Sequence, residues 1–244
     1  MRNPDWHRDE IIIALNLYFD SKRGSIDKNN PKVIEVSQTL NALPLFSEIP
    51  DKEKFRNPNG VSLKLSNFLA IDPSYTGKGM SRGSDLDRKV FMEFYNDRER
   101  LKRIASSIKK ISEDSKLKNQ IYEVGDDELT KNDSVVEGAI LYKLHKVRER
   151  DKKIVISKKK QVFNLVGKLA CEVCSFEFES YYGEIGRGFI ECHHKSPLAK
   201  IQIAAKTKLE DLALVCSNCH RMLHVGIDCL SIDDLRMIIK YDRI

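Results

Sequence analysis

Apolar residues recur every three or four positions along much of the first 110 residues, the spacing that places side chains on one face of an α-helix. Pro31 and Pro58 stand at the start of two such stretches, where a helix accepts proline in its first turn. The pattern predicts four helices, which run over Asp9–Phe19, from Asn30 to Leu43, from Pro58 to Phe68, and over a long stretch from Asp85 to about Ile111.

The stretch that begins at Pro58 has an apolar stripe on one side and polar residues on the other. Lys64 and Asn67 share the polar side, and Arg56 lies close to its start. This arrangement is typical of a recognition helix in a helix-turn-helix-like domain, and it makes Arg56 and Lys64 candidate contacts to nucleic acid. An ordinary amphipathic helix with a solvated polar face produces the same pattern, so both interpretations stay open.

The chain becomes acidic and polar after Ser112, and this composition predicts an interdomain linker. The predicted organisation is a helical, DNA-recognition domain at 1–112, a linker at 113–134 and a second domain at 135–244. Helical character returns at Val135 and continues to about Lys160, in a stretch where basic residues dominate.

The composition fits a folded, water-soluble chain. Apolar residues make up 41% of the 244 positions, enough for a packed core, and the formal net charge of +6 favours a polyanionic partner. The longest dense apolar stretch, near 11–19, is too short to cross a bilayer, and the first residues do not resemble a signal peptide. We therefore expect a cytoplasmic protein without membrane contact, whose thiols stay reduced.

Four of the six cysteines form two C-x-x-C pairs in the last third of the chain. This is the ligand spacing of structural zinc sites, in which four thiolates surround one Zn²⁺ tetrahedrally. Cys192 lies in a strand-like stretch and is expected to be a small buried residue. The predicted zinc ligands are Cys171, Cys174, Cys216 and Cys219.

Four of the six histidines lie in the same region. His193 and His194 are adjacent and stand between the two cysteine pairs, whereas His220 and His224 directly follow the second pair. A spacing of four residues places His220 and His224 on one face of a helix, which suits a single metal ion. A lone histidine is usually structural, but four beside a zinc site are difficult to explain by packing alone.

These residues resemble the HNH endonuclease family. The resemblance is carried by FIECHHKSPL at 189–198 and DLALVCSNCHRMLH at 211–224. It is closest to the branch with two C-x-x-C pairs, as in McrA-like restriction enzymes, and covers roughly Val135 to the C-terminus. It implies an α+β protein in which a mainly helical N-terminal domain precedes a small ββα-metal nuclease domain. The implied hairpin includes Gly183 to His194, and the implied helix runs from Ser217 to His224.

The resemblance also implies the chemistry of the site. His194 would be the general base that takes a proton from water. His193 would bind a catalytic divalent ion from the strand, and His224, together with His220, would bind the same ion from the helix. That ion is expected to be Mg²⁺ or Mn²⁺, which stabilises the charge growing on the scissile phosphate.

One position departs from the family pattern. The central asparagine of the family corresponds to Asp211, whose carboxylate can accept hydrogen bonds but cannot donate them. Asp211, or alternatively Asn218, is expected to brace the loop that holds the general base.

Arg221 is either a phosphate contact or a plain surface arginine. Beside a nuclease domain the basic run favours a phosphate-binding surface, and its candidate contacts are Lys158, Lys159 and Lys160.

The expected function is hydrolysis of phosphodiester bonds in double-stranded DNA, with modified or unmodified bases, by an endonuclease of a restriction or defence system. The alternative is a non-catalytic zinc DNA-binding module, which has no need of the histidine cluster. A toxin-type nuclease is disfavoured because no translocation or receptor region is visible. One HNH site cuts one strand, so double-strand cleavage needs two successive nicks or two protomers, and the latter favours a homodimer.

Overall fold

A computed structural model describes residues 2–77, 83–124, 138–149, 151–195, 207–225 and 230–239. The protein divides into two compact units. The first comprises Met1–Glu123 and Glu137–Leu141, and the second comprises Val124–Val136 and Tyr142–Ile244. Within the described ranges, no helix combines the length and the apolar character needed to cross a membrane.

The first unit is built around helix α1 (Arg8–Phe19). The side chain of His7 accepts the backbone N–H of Asp9, and the side chain of Glu10 accepts the backbone N–H of His7, which together fix the start of the helix. Ile11, Ile12, Ala14 and Leu15 are completely buried. Because α1 is apolar around most of its circumference, it forms the centre of the core.

Four further helices contact α1 directly, and a fifth contacts α5. The asparagines before Pro31 and Pro58 accept backbone N–H groups, and each proline occupies the first turn, so both predicted starts are confirmed. The helices are α2 (Pro31–Asn41), α3 (Pro58–Ile71), α4 (Asp85–Phe94), α5 (Arg98–Glu113) and α6 (Ser115–Tyr122).

The long helix predicted from Asp85 to about Ile111 is wrong, because the chain forms α4 and α5 there. The Asp97 side chain accepts the backbone N–H of Arg100 at 3.1 Å and so starts a new helix. The apolar stripe continues across the break, since Phe94 and Leu101 are both buried. Helix α6 lies within the predicted linker 113–134, and residues 125–134 of that segment lie outside the described residues.

Arg56 and Lys64, predicted as contacts to nucleic acid, are buried in ion pairs within the first unit. Arg56 Nε lies 2.6 Å from Glu10 Oε1, and a second nitrogen of its guanidinium lies 2.7 Å from Glu10 Oε2. Lys64 Nζ lies 2.7 and 2.8 Å from the two carboxylate oxygens of Asp87. Both cations are therefore neutralised inside the fold, which corrects the expectation that they face phosphates.

Replacing Lys64 with methionine is expected to lower the free energy of unfolding by about 3–5 kcal/mol, because it leaves the Asp87 carboxylate buried without its counter-ion. The side chains of Lys64 and Asp87 are only 6% and 1% exposed. Urea denaturation followed by circular dichroism measures the change. Lys102→Met, at an exposed position of α5, is the matched control and is expected to change stability by less than about 0.5 kcal/mol. Equal stability of the two variants would contradict the structural role of the pair.

The second unit contains the end of one helix, the two described strands and several short helices. The described part of the basic stretch, 138–149 and 151–160, lies almost entirely in two helices, and Asp151 accepts the backbone N–H of Lys153 at the start of the second. The division between the units falls inside the first of these helices. The elements are α7 (Ala139–Glu149), α8 (Lys152–Val166), α9 (Phe178–Tyr182), β1 (Glu191–His194), β2 (Leu212–Val215), α10 (Ser217–Leu223) and α11 (Ile232–Ile238).

Strands β1 and β2 pair antiparallel, with His193 opposite Ala213 and His194 opposite Leu212. The hairpin was predicted to include Gly183 to His194, but Gly183–Gly186 form a 3-10 turn and β1 begins at Glu191. Helix α10 directly follows β2 and matches the helix predicted from Ser217. Together with the helical first unit, this small sheet confirms the α+β class.

Helix α11 begins after Ser231, whose hydroxyl accepts the backbone N–H of Asp234 as predicted. Leu235 is buried against the core of the second unit, whereas Ile238 is 58% exposed. The prediction that both residues face inward is therefore right for Leu235 and wrong for Ile238.

Candidate metal centres

The sulfur atoms of the four predicted zinc ligands converge within the second unit. Each lies within 4.8 Å of the other three, and Cys174 Sγ lies 3.7 Å from Cys216 Sγ. Two thiolates bound to one tetrahedral zinc at about 2.3 Å lie about 3.8 Å apart. The four sulfurs therefore fit a structural zinc ion (Cys171, Cys174, Cys216 and Cys219).

Local backbone bonds form the two cysteine turns. The carbonyl of Cys171 accepts the N–H of Ser175, whose positive φ of 62° closes the turn tightly. Cys216 Sγ accepts the N–H of Cys219 at the start of α10. The N–H and the side chain of Glu172 both bond to the backbone of Leu214, which ties the first turn to β2. The zinc site is thereby joined to the strand pair.

Cys192 lies outside this cluster. It is buried in the core of the second unit, as predicted for a small apolar residue. Burial raises the pKa of its thiol to about 11, so the group stays protonated near neutral pH.

The histidines of β1 and α10 form a second cluster. Because successive strand residues point to opposite faces, His193 and His194 diverge. The His193 ring meets the rings of His220 and His224, with centroids 5.3 and 4.9 Å away. His194 is also buried, and its Nε2 lies 3.3 Å from the hydroxyl of Thr207. The strand therefore separates one histidine that joins the cluster from one that does not.

Glu149, the last residue of α7, completes the histidine cluster. Its Oε1 atom lies 2.9 Å from His220 Nε2, 3.2 Å from His193 Nδ1 and 3.5 Å from His224 Nε2. The donor atoms of these four residues all lie within 4.8 Å of one another. Three imidazole nitrogens and one carboxylate oxygen at these separations fit a single divalent ion.

The carboxylates around His220 set its protonation. Burial favours neutral His220, but the hydrogen bond and charge of Glu149, together with the hydrogen bond of Glu191, outweigh burial and raise the pKa of His220. Glu191 Oε2 lies 2.5 Å from His220 Nδ1, a contact that fixes the ring with Nε2 directed at the cluster. Burial is the larger effect on His193, and it lowers that pKa despite the opposing effect of Glu149. A divalent ion that binds these rings must displace the protons that they hold.

The sequence model of the HNH endonuclease family matches residues 171–226, which include both cysteine pairs and all four clustered histidines. Residues 171–226 form an HNH endonuclease domain. No curated protein and no solved structure matched the chain in two further searches. The HNH domain indicates a nuclease or DNA-binding role, and the four-cysteine cluster fits a structural zinc ion.

In the HNH domain, Asp211 acts as a hydrogen-bond acceptor at the start of β2. Its Oδ2 accepts the N–H of Lys208 at 2.8 Å and closes the 3-10 turn Leu209–Asp211. Its carbonyl accepts the N–H of Lys195 at 2.8 Å, one residue beyond His194. The first bond needs only a side-chain acceptor, which a carboxylate provides, and the second uses the backbone carbonyl that every residue has. Asn218, the alternative brace, is exposed on α10.

The basic residues predicted to bind phosphate differ in their exposure to solvent. Arg221 and Lys160 are exposed, so their charges face solvent. Lys159 is partly buried and donates to the carbonyl of Gly188 at 2.9 Å. Lys158 is buried as a whole residue, and its contact with DNA stays a prediction.

Sequence reasoning missed Glu149, which lies before the HNH match in a run of basic residues. Its sequence setting resembles that of a solvent-exposed charge in a basic helix. One signal could have drawn attention to it. A carboxylate at the C-terminal end of a helix is disfavoured by the helix dipole and needs other partners.

Proposed function

We propose that this protein is a metal-dependent DNA endonuclease that hydrolyses phosphodiester bonds, with His194 as general base and His193, His220 and His224 as metal ligands. One observation carries the proposal. Within an HNH domain, three histidines from β1 and α10 meet at one point, while the neighbouring His194 leaves the same strand on the other face.

The division of labour between the two adjacent histidines follows from the strand geometry. His194 lies outside the ligand cluster, so we assign to it, and not to His193, the role of taking a proton from the attacking water. The Thr207 hydroxyl, 3.3 Å from Nε2, orients the ring. A bound divalent ion stabilises the negative charge that grows on the scissile phosphate. Exposed Arg221, next to His220, is placed to contact a flanking phosphate.

The helical first unit is proposed to select the DNA, and the second unit to cut it. This assignment makes the protein a restriction or defence enzyme of the cytoplasm, as in McrA-like enzymes, with modified bases as one signal for cleavage. It rests on analogy with that branch of the family. A homodimer would place one site on each strand of the duplex.

Cleavage of cytosine-methylated and unmethylated supercoiled plasmid, each with Mg²⁺ or Mn²⁺, tests this function. We expect metal-dependent conversion to nicked or linear DNA, with a higher rate on the methylated plasmid. Equal rates on both plasmids would contradict the modification-dependent part alone. Binding of both plasmids without cleavage under every metal condition would contradict catalysis and would favour the zinc DNA-binding module.

A further inference from the structure

The histidine cluster has a fourth member from outside the HNH match, at the C-terminal end of α7. A single oxygen of Glu149 faces all three imidazoles at 2.9–3.5 Å. The Glu149 side chain is only 5% exposed. A buried carboxylate is costly unless cations or strong hydrogen-bond donors surround it. The three imidazoles are groups that can stabilise the Glu149 carboxylate in this position.

Helix α7 brings a further charged group near Glu149. Lys146 Nζ, one turn earlier, forms an ion pair with Glu149 Oε2 at 3.9 Å. The C-terminal end of a helix is unfavourable for a negative charge, because the helix dipole is negative there. The ring of Tyr142, two helical turns before Glu149, packs edge-on against the ring of His224, with 6.2 Å between the ring centroids. Two residues of α7 therefore contact histidines within or directly after α10, and one of them, Glu149, directs its carboxylate at the cluster.

We propose that Glu149 is the fourth protein ligand of the catalytic metal ion, so that the site is a three-histidine, one-carboxylate site. This inference deepens the proposed function and rests on it. Three imidazoles suit zinc, nickel, cobalt and other first-row transition ions, whereas Mg²⁺ takes mainly oxygen ligands. The set therefore binds a divalent transition ion, including Mn²⁺, in preference to Mg²⁺. The preference differs from the equal expectation for Mg²⁺ and Mn²⁺ drawn from the family resemblance.

Titration of the zinc-loaded, full-length protein with Co²⁺ tests the assignment. Visible absorption reports cobalt bound to nitrogen and oxygen ligands, and elemental analysis reports the zinc retained by the cysteines. In Glu149→Gln we expect the affinity for Co²⁺ to fall at least about 100-fold, since even loss of an outer partner of a ligand costs about 10- to 100-fold. Glu149→Asp, which keeps the charge but shortens the side chain, is expected to lose less. Millimolar Mg²⁺ is expected not to displace Co²⁺ from the wild type.

Two controls separate a ligand from a supporting residue. Glu191→Gln changes the carboxylate that contacts His220 Nδ1, the ring nitrogen directed away from the cluster. We expect it to lower the affinity for Co²⁺ less than Glu149→Gln does. Glu184→Gln alters a carboxylate with 82% of its side chain exposed, and is expected to leave Co²⁺ binding unchanged. Crystals of the cobalt-loaded protein, measured at the cobalt edge, are expected to place Glu149 Oε1 about 2.0–2.2 Å from the ion, as in comparable sites.

The outcomes distinguish this inference from the proposed function. Wild-type affinity for Co²⁺ in Glu149→Gln, with one zinc retained, would overturn the ligand assignment, even if the protein cleaves DNA. Tighter binding in that variant would also overturn it, because Glu149 would then compete with the ion for the histidines. Loss of Co²⁺ binding in Glu149→Gln supports the assignment, and this readout stands even if the wild type cleaves no DNA.

Discussion

Replacing His194 with alanine is expected to lower the rate of DNA cleavage by about 100- to 10,000-fold, the usual contribution of a general base. The side chain is buried, and it leaves the strand on the face opposite to His193. The substitution therefore removes the proposed base but keeps the proposed metal ligands. Single-turnover plasmid cleavage, at saturating protein and divalent ion, measures the rate without a contribution from product release.

Measurement of Co²⁺ binding distinguishes the role of His194 from that of the proposed ligand His220. His194→Ala is expected to bind Co²⁺ and plasmid DNA with wild-type affinity. His220→Ala is expected to lose Co²⁺ binding and cleavage together, since His220 Nε2 belongs to the ligand cluster. If His194→Ala lost Co²⁺ binding as His220→Ala does, the assignment of His194 as the base would be wrong.

Removal of zinc from the four-cysteine site is expected to unfold the second unit while the first unit stays folded. The core of the second unit consists largely of short segments around the four cysteines. Structural zinc contributes about 10–16 kcal/mol of binding free energy in zinc-finger peptides at pH 7, so a small core does not survive its loss. The first unit has its own core around α1. Chelator-treated protein is therefore expected to keep most of its helical signal and to expose the second unit to protease.

Cys219→Ser and Cys192→Ala form a matched pair for this experiment. Both residues are buried, but only Cys219 belongs to the zinc cluster. We expect Cys219→Ser to lose zinc and to become protease-sensitive after the first unit. Cys192→Ala is expected to keep one zinc and to lose only about 1 kcal/mol, as is usual for a small change. A folded, zinc-free second unit in Cys219→Ser would show that the metal is dispensable.

Much of the fold follows from local signals in the sequence. The starts of α2 and α3 follow from prolines in the first turn, and Ser231 marks the start of α11. The break between α4 and α5 was not predicted, because the apolar stripe continues through it. One capping residue, Asp97, sets the boundary between the two helices. Competition between a cap and a continuing apolar stripe is difficult to judge from the pattern alone.

In the candidate site, too, some residues could be predicted from the sequence and others could not. The two C-x-x-C pairs predicted the cysteine cluster, and the family resemblance implied that His193, His220 and His224 bind one ion. The partners of Arg56 and Lys64 lie 46 and 23 residues away, so the sequence pattern could not distinguish a buried ion pair from a surface contact. Glu149 lies 71 residues from His220. Contacts of this kind depend on how the helices pack, which no local spacing encodes.

Reconstitution of cleavage, with analysis of the product ends, tests the central claim most directly. Protein freed of loosely bound metal, but still holding one zinc, would be given supercoiled plasmid with Mn²⁺, Co²⁺ or Mg²⁺. We predict nicking that requires the added ion, yields 5′-phosphate ends that ligase can reseal, and is lost in both His194→Ala and His220→Ala. Cleavage that persists in these variants, or a wild type that binds DNA and the ion without cutting, would contradict the claim that this cluster hydrolyses DNA.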